Sequence, residues 1–357
     1  MEKAKIGQTS AISSLTIPSL LLSFKEECKS SLKGSQEMKV SSNDHNVINW
    51  LLEEKQPSVR YYTLIDLLDH GRDDPGVKEA YSNIPKNGWA FEILRKQRSE
   101  GHWESKRSLY RPKYTATNWM AIVLSDLGLT RENSQIRKTA HLFFREWMRK
   151  EKPNIFHDEV CIVGNTARML TRFGYDDDPR VRKLFDRLVE DQKEDGGWHC
   201  CTSTTGTLDC WEALAAFAVL PEPKRTKGIK NAIERGAEFY LERSLFDDGG
   251  ARYQPWLRFH YPTHYYYDVL VGLDLLTKLG YAGDRRLRPA LKILKDKRRK
   301  DGRWLLERIH PDPASYAWGK GNLRWKVKPF GLEDTGNPSK WITLTALRVL
   351  KRVEDLS

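Results

Sequence analysis

The chain has 357 residues, of which 39% are hydrophobic and 30% charged, a globular composition with room for one large domain or two ordinary ones. The net charge of +12 suits an anionic partner, but Lys and Arg are spread along amphipathic segments rather than packed in blocks, so we expect no nucleic-acid binding. The five cysteines lack a regular spacing, which predicts a reducing, cytoplasmic location without a disulfide framework. No apolar run is long enough for a transmembrane helix.

Residues 1–43 are expected to form a disordered leader. Lys3 and Lys5 precede an apolar stretch, as in a signal peptide, but serines interrupt that stretch and no clean cleavage site follows. Met38 offers an alternative start just before the first helix. The sequence therefore predicts one structured domain over residues 44–357.

From Asn43 onward the apolar residues recur at helical spacing, and two kinds of segment alternate. Amphipathic segments carry one apolar stripe and bury one side, whereas the others are apolar over most of their circumference and are expected to be buried. The amphipathic segments lie near residues 44–54, 86–97, 134–149, 179–192, 227–242 and 284–298, and the apolar ones near 59–69, 115–128, 158–173, 207–220, 263–279 and 340–353. Strict alternation predicts an all-α fold, an (α/α)6 toroid of six hairpins with the apolar helices inside.

Three loops that follow amphipathic segments share a motif. Gln97–Trp103 and Gln192–Trp198 read Gln-x3-Gly-x-Trp, and Arg298–Trp304 has Arg in place of Gln. Glycine at this position ends a helix in a left-handed turn, and the glutamine can then reach the freed backbone groups. Recurrence about every two hairpins indicates a repeated structural unit.

These QW-type repeats on alternating outer and inner helices resemble the terpenoid cyclase and protein prenyltransferase superfamily, which includes squalene–hopene cyclases and prenyltransferase β subunits. The resemblance covers residues 44–353. It implies an isoprenoid-processing enzyme that acts on a prenyl or terpenoid substrate, with or without a diphosphate, in a central apolar cavity. The motifs are specific for the fold rather than the reaction, so cyclisation and prenyl transfer both stay open. Protein prenyltransferases also work with a separate α subunit, and the sequence does not identify such a partner.

In a toroid of hairpins all inner helices begin at one end, here called the mouth, where their positive N-termini favour an anion such as diphosphate. Aromatic faces at the mouth could stabilise a carbocation, although core packing is the commoner reason for such residues. Arg168, on one face of the third apolar helix, needs an anion if it is buried, and a diphosphate or Glu159 would serve. The candidate substrate-binding residues are Trp119, Asn165, Arg168, Trp211, Tyr265 and Tyr266.

Cys200, Cys210 and His264 are candidate zinc ligands, because thiolate and imidazole are the usual ligands of zinc. Prenyltransferases place an Asp and a Cys at the start of one inner helix and a His at the start of the next, and "LDCWEALAAF" and "HYYYDVLVGL" are similar to those starts. The family has one residue between Asp and Cys, whereas Asp209 and Cys210 are adjacent and diverge by about 100° on a helix. Cys200 is therefore the predicted third ligand. The alternative is that Cys210 and His264 are ordinary core residues.

Asp209, Glu212 and Asp268 are candidate catalytic acids, because burial raises the pKa of a carboxyl group and keeps its proton. Squalene–hopene-type cyclases use an Asp-x-Asp-Asp motif that the mouth lacks. Asp209 with Glu212, and His264 with Asp268, have spacings that place each pair on one helix face. Each pair could equally serve only to fix the mouth.

Two other function classes remain open from the sequence. One is a carbohydrate-active (α/α)6 enzyme with two separated carboxylates, Asp158 or Glu159 with Asp268. The other is a toroid that binds a ligand without catalysis. Long loops at Asp247–Pro262 and Arg308–Ser339 are expected to cover the mouth in any of these cases.

Overall fold

The structure is a computed structural model that describes residues 42–148, 159–200, 203–250, 253–310, 315–318, 323–326 and 330–355. Residues from Asn46 onward form one compact unit. Most of the predicted leader, residues 1–41, lies outside the described residues, and so do Asp158 and Cys201. Within the described part of the chain, no helix combines the length and apolarity that a membrane crossing requires.

Helices make up nearly all of the regular structure in the described residues. They are α1 Ser42–Leu51, α2 Pro57–Tyr62, α3 Pro75–Asn83, α4 Gly88–Leu94, α5 Thr117–Asp126, α6 Ser134–Leu142, α7 Val160–Arg172, α8 Pro179–Glu190, α9 Glu212–Val219, α10 Lys227–Glu242, α11 Val269–Leu276, α12 Arg288–Asp296 and α13 Lys340–Glu354. Helices α2, α6 and α11 each continue into a π-helical turn, at Thr63–Leu67, Phe143–Trp147 and Thr277–Tyr281. The all-α prediction is confirmed at this level.

Helix α3 interrupts the predicted strict alternation. Asp74 caps it, since its Oδ1 atom accepts hydrogen bonds from the amides of Gly76 at 2.7 Å and Val77 at 3.2 Å, and Pro75 occupies the first helical position. Val77 and Ala80 then bury one face of the helix. The Asp-Pro cap is a helix-start signal that the apolar periodicity alone does not reveal.

A short hairpin lies within the predicted loop Arg308–Ser339. Strand β1, Ser315–Trp318, pairs antiparallel with β2, Leu323–Lys326, and Ser315 lies opposite Lys326. The hairpin is a local departure from a helical fold. It stands between the end of α12 and the start of α13.

The helices predicted to be apolar all round pack on one another in chain order. Helix α5 contacts α7, α7 contacts α9, α9 contacts α11, α11 contacts α13, and α13 contacts α2 and the π-helical turn after it. The amphipathic helices α8 and α10 pack on α7 and α9 from outside this series, and on each other. The starts of α7, α9 and α11 are thereby brought together, which positions the candidate site.

The three Trp-containing loops make the same contacts. The Nε1 atoms of Trp103, Trp198 and Trp304 each donate to a backbone carbonyl ten residues upstream, in the preceding helix, at 2.8 Å. The glycine two residues before each tryptophan has a positive φ, from 81° to 91°. Gln192 donates to the carbonyls of Gly196 and Ala232, at 2.8 and 2.9 Å. Each tryptophan therefore ties its loop to the preceding helix, and Gln192 also ties its loop to α10.

Candidate functional site

Three thiols meet at the starts of α7 and α9. The sulfur of Cys200 lies 3.5 Å from the sulfur of Cys210, and it accepts a hydrogen bond from the backbone amide of Cys161 at 3.3 Å. Cys161 is the second residue of α7, so its amide is one of those left without a partner inside the helix. Cys200 and Cys161 are half-buried, whereas Cys210 is buried. We call these three residues the thiol cluster.

Hydrogen bonds set the protonation of the thiol cluster. Hydrogen bonds from the Cys161 and Cys210 side chains lower the pKa of Cys200 to about 3, and the Cys161 amide adds to this effect against the cost of burial. The pKa values of Cys161 and Cys210 are raised, first by these hydrogen bonds and then by burial. Cys200 is thus the sulfur that carries negative charge within the cluster.

Arg168 and Glu212 form a second buried group beside the thiol cluster. Both side chains are at least 96% buried, and neither the Nε and Nη2 atoms of Arg168 nor the two carboxylate oxygens of Glu212 have a hydrogen-bond partner. Burial raises the pKa of Glu212, and the negative charge of Cys200 raises it further. Burial lowers the pKa of Arg168 to about 10, against the attraction of Glu212. The guanidinium carbon lies 4.8 Å from the ring centre of Trp211.

His264 completes this group from the segment before α11. Its backbone has a φ of 46°, in the left-handed region, and its side chain is fully buried with neither ring nitrogen hydrogen-bonded. Burial lowers the pKa of His264, and the nearby charges of His310, His260 and Arg168 lower it further. The Asn165 side-chain amide donates to the His264 carbonyl at 3.0 Å. A left-handed backbone at a non-glycine residue is a form of strain that is common at functional sites.

Asp268 pairs with His260 and not with His264. Its Oδ2 atom lies 2.6 Å from Nδ1 of His260 and accepts from the His260 amide at 3.0 Å. Its Oδ1 atom caps α11 by accepting from the amides of Leu270 and Val271. The i,i+4 interpretation of His264 with Asp268 is therefore wrong, because α11 begins only at Val269 and the preceding residues are not helical. With both oxygens engaged, Asp268 anchors His260 and the start of α11.

Asp209 lies apart from Glu212. Helix α9 begins at Glu212, so Asp209 precedes the helix and the two carboxyl groups do not share a helix face as their spacing predicted. Asp209 accepts from Nε1 of Trp256 at 2.7 Å, and burial raises its pKa. It lines a small cleft of about 10 Å³ with His260, Tyr266 and Arg308 among the lining residues.

Aromatic rings enclose the group formed by Arg168, Glu212 and His264. The His264 ring stacks on Tyr114, with centroids 5.0 Å apart, and meets Trp119 edge-on at 5.4 Å. Trp211 donates from Nε1 to the Tyr265 carbonyl at 3.3 Å. The Tyr265 hydroxyl lies 2.7 Å from the Lys113 amine and 2.9 Å from the Tyr266 hydroxyl. Contacts through His264 and Trp211 thus connect the six predicted substrate-binding residues.

Of the three predicted zinc ligands, the structure brings two into contact. Cys200 and Cys210 are in contact, and sulfurs on one tetrahedral zinc ion lie about 3.8 Å apart, given a Zn–S distance of ~2.3 Å. His264 is enclosed by rings, and Asp209 is turned toward Trp256. Among the described residues no group of three or more His, Cys, Asp or Glu side chains has the arrangement of a metal site. Zinc therefore stays a prediction.

Three residues of the site were not among the predicted catalytic, substrate-binding or metal-binding residues. Cys161 completes the thiol cluster, His260 takes the carboxylate of Asp268, and Lys113 supports Tyr265. Cys161 had a usable signal, because it stands at the start of a buried helix as Cys210 does. Lys113 and His260 lie in irregular segments, where spacing carries no information about contacts.

Comparison with known proteins adds no family. A scan against protein-family models found no match, and a search of curated proteins found no significant relative.

Proposed function

We propose that the chain is an isoprenoid-processing enzyme, and that Arg168, Glu212 and His264 form its reaction centre. One observation carries the proposal: six polar atoms on three buried side chains have no hydrogen-bond partner, and Arg168 interacts electrostatically with both Glu212 and His264. Buried polar atoms are almost always paired, so such a group is expected to bind a polar ligand group or ordered water. The three groups also differ in charge as acid–base chemistry requires, since Arg168 is a cation, Glu212 an acid and His264 a neutral imidazole.

The fold supports this placement. We propose that the series of packed helices closes into an (α/α)6 toroid with QW-type loops, in which α2 returns to α5. A Cβ atom on Gly128, just after α5, would lie 3.2 Å from the Tyr62 hydroxyl of α2, which is consistent with closure. In such a ring the reaction centre lies where the buried helices begin, and their N-termini attract an anion.

Each residue of the reaction centre has a proposed role. Arg168 binds the diphosphate or another anionic group of the substrate, because its guanidinium has donors to spare. Glu212 acts as a general acid, because burial raises its pKa well above the usual value and so favours the protonated carboxyl group. The faces of Trp119, Trp211 and Tyr265 are suited to a positively charged isoprenoid intermediate.

The carbohydrate-active alternative finds less support in the geometry. A glycosidase needs two carboxyl groups that can reach the substrate. Asp268 is engaged by four hydrogen bonds from His260 and the start of α11. Glu159 lies 3.8 Å from the Cys161 sulfur. Glu159 and Asp268 are therefore not arranged as the acid and the base of one catalytic pair.

Ligand binding tests the proposal. Calorimetric titration of the full chain with farnesyl diphosphate should show binding, and Arg168→Gln should weaken it by about tenfold to a hundredfold, the typical cost of a lost charge-assisted hydrogen bond. Arg168→Lys, the matched control, keeps the charge and should retain part of the affinity. Glu212→Gln should retain binding and lose product formation.

Other outcomes would overturn parts of the proposal. Absence of binding to any prenyl diphosphate or unphosphorylated isoprenoid would overturn the substrate class. Binding of an oligosaccharide instead would favour the carbohydrate-active alternative. If the native chain binds the ligand but forms no product, and Glu212→Gln leaves the affinity unchanged, a toroid that only binds its ligand would be favoured.

A further inference from the structure

The geometry points to a redox-sensitive site in the thiol cluster, at which hydrogen peroxide converts the Cys200 and Cys210 thiols into a disulfide. This inference does not rest on the proposed function. It follows from three cysteines that meet in the fold, one from the start of α7 and two from the segment before α9, and from the different access to solvent of Cys200 and Cys210, which are in contact.

The distance between the two sulfurs is the first argument. The sulfurs of Cys200 and Cys210 are 3.5 Å apart, and a disulfide requires about 2.05 Å, so a combined movement of roughly 1.5 Å closes the bond. Side-chain rotation of Cys200 can supply this movement, because Cys200 lies in a loop and not in a helix. The disulfide would close the short loop between Cys200 and Cys210.

Exposure orders the two steps. Cys200 is half-buried and meets peroxide first, whereas Cys210 is 5% exposed and is reached mainly through its neighbour. The Cys200 sulfur attacks one peroxide oxygen, the O–O bond breaks, and sulfenic acid and one water form. The Cys210 sulfur then attacks the sulfenic sulfur, the S–O bond breaks, and a second water leaves. In total, two thiols and one peroxide give one disulfide and two waters.

Cys161 is placed to assist and not to form the bond. Its backbone amide donates to the Cys200 sulfur at 3.3 Å, and its thiol, which also hydrogen-bonds to Cys200, is held in addition by the Glu159 carboxylate 3.8 Å away. Because the amide belongs to the first turn of α7, it holds the Cys200 sulfur at the start of the helix beside Cys210. The predicted disulfide pair is therefore Cys200 with Cys210.

Mass spectrometry tests the inference on the full chain. A background with Cys28→Ser and Cys201→Ser keeps only the three cysteines of the thiol cluster. Peroxide should remove two hydrogens from this protein, and peptide mapping should join Cys200 to Cys210. Adding Cys161→Ser, the matched control, should leave the disulfide in place. Adding Cys210→Ser instead should stop the reaction at a sulfenic acid on Cys200 that dimedone traps.

Three results would overturn the inference. One is a disulfide that joins Cys161 to Cys200 as the main product. Another is three free thiols after excess peroxide in a protein whose circular dichroism shows that it is folded. The third is stoichiometric zinc in the purified protein, with the thiols protected from peroxide until a chelator is added. Failure to bind farnesyl diphosphate would leave the disulfide unaffected, so the two proposals can fail separately.

Discussion

Gly164 of α7 lies directly against the backbone of Glu212 at the start of α9. A Cβ atom built on Gly164 would be 2.6 Å from the Glu212 carbonyl carbon and 2.8 Å from the Ala213 nitrogen. Both neighbours are backbone atoms that cannot rotate away. The absence of a side chain at this one position lets the two helices approach closely enough for Arg168 and Glu212 to share a buried site.

Replacement of Gly164 should therefore disturb both stability and the site. Gly164→Ala should lower the free energy of unfolding by about 3 kcal/mol, at the upper end of the usual cost of overpacking, because α7 and α9 must separate. Gly228→Ala is the control: Gly228 lies in α10 with only ordinary contacts, and the change should stabilise the protein by about 0.5–1 kcal/mol. Chemical denaturation measures both. Equal effects of the two changes would contradict the close approach.

The Trp-containing loops should contribute equally to stability. Replacing Trp103, Trp198 or Trp304 by Phe removes the donor to a buried helix carbonyl and part of the ring, so each should lower the free energy of unfolding by about 2–4 kcal/mol. Trp50→Phe serves as the comparison, because that half-buried ring is covered by Arg303, and we expect less than about 1 kcal/mol. A loss at one loop alone would show that the three are not equivalent.

The helices could be predicted because their signals are local. Apolar periodicity indicated all of the long helices, including α10, which begins and ends at Lys227 and Glu242 as predicted. Apolar periodicity does not predict α3, whose signal is the Asp74 cap, nor the hairpin of β1 and β2, because short strands in a Gly- and Pro-containing loop leave no clear period.

The site could be predicted only as a region. Cys210 and Glu212 were expected at the start of a buried helix, and they lie there because helix starts are readable from sequence. The third member of the cluster with Cys200 and Cys210 depends on the path of the loop before α9. It is Cys161 and not the predicted His264. That His260 takes Asp268 depends on where α11 begins, and helix boundaries are weakly specified by sequence.

Glu212 should make stability fall as pH rises. Its folded pKa is raised by burial, so above the unfolded value of about 4.3 the unfolded chain releases a proton that the folded protein keeps. The difference in unfolding free energy between Glu212→Gln and the native chain should then grow by about 1.4 kcal/mol per pH unit until the folded pKa is reached. Urea denaturation at a series of pH values from about 4 to 8 measures this difference. A difference that does not change with pH would show that Glu212 is ionised in the folded protein.

Asp268 should matter more for stability than an ordinary helix cap. Asp268→Asn keeps one oxygen for the amides of Leu270 and Val271, but its amide nitrogen then faces two donors of His260, so we expect a loss of about 3 kcal/mol in unfolding free energy. Asp178→Asn is the matched control, because Asp178 caps α8 near the surface and Asn caps almost as well, so the loss should be under about 0.5 kcal/mol. Thermal and urea unfolding of both variants measure these losses. Similar small losses would mean that the His260 contact contributes little, and the buried pair would then not be what holds the segment before α11 against the site.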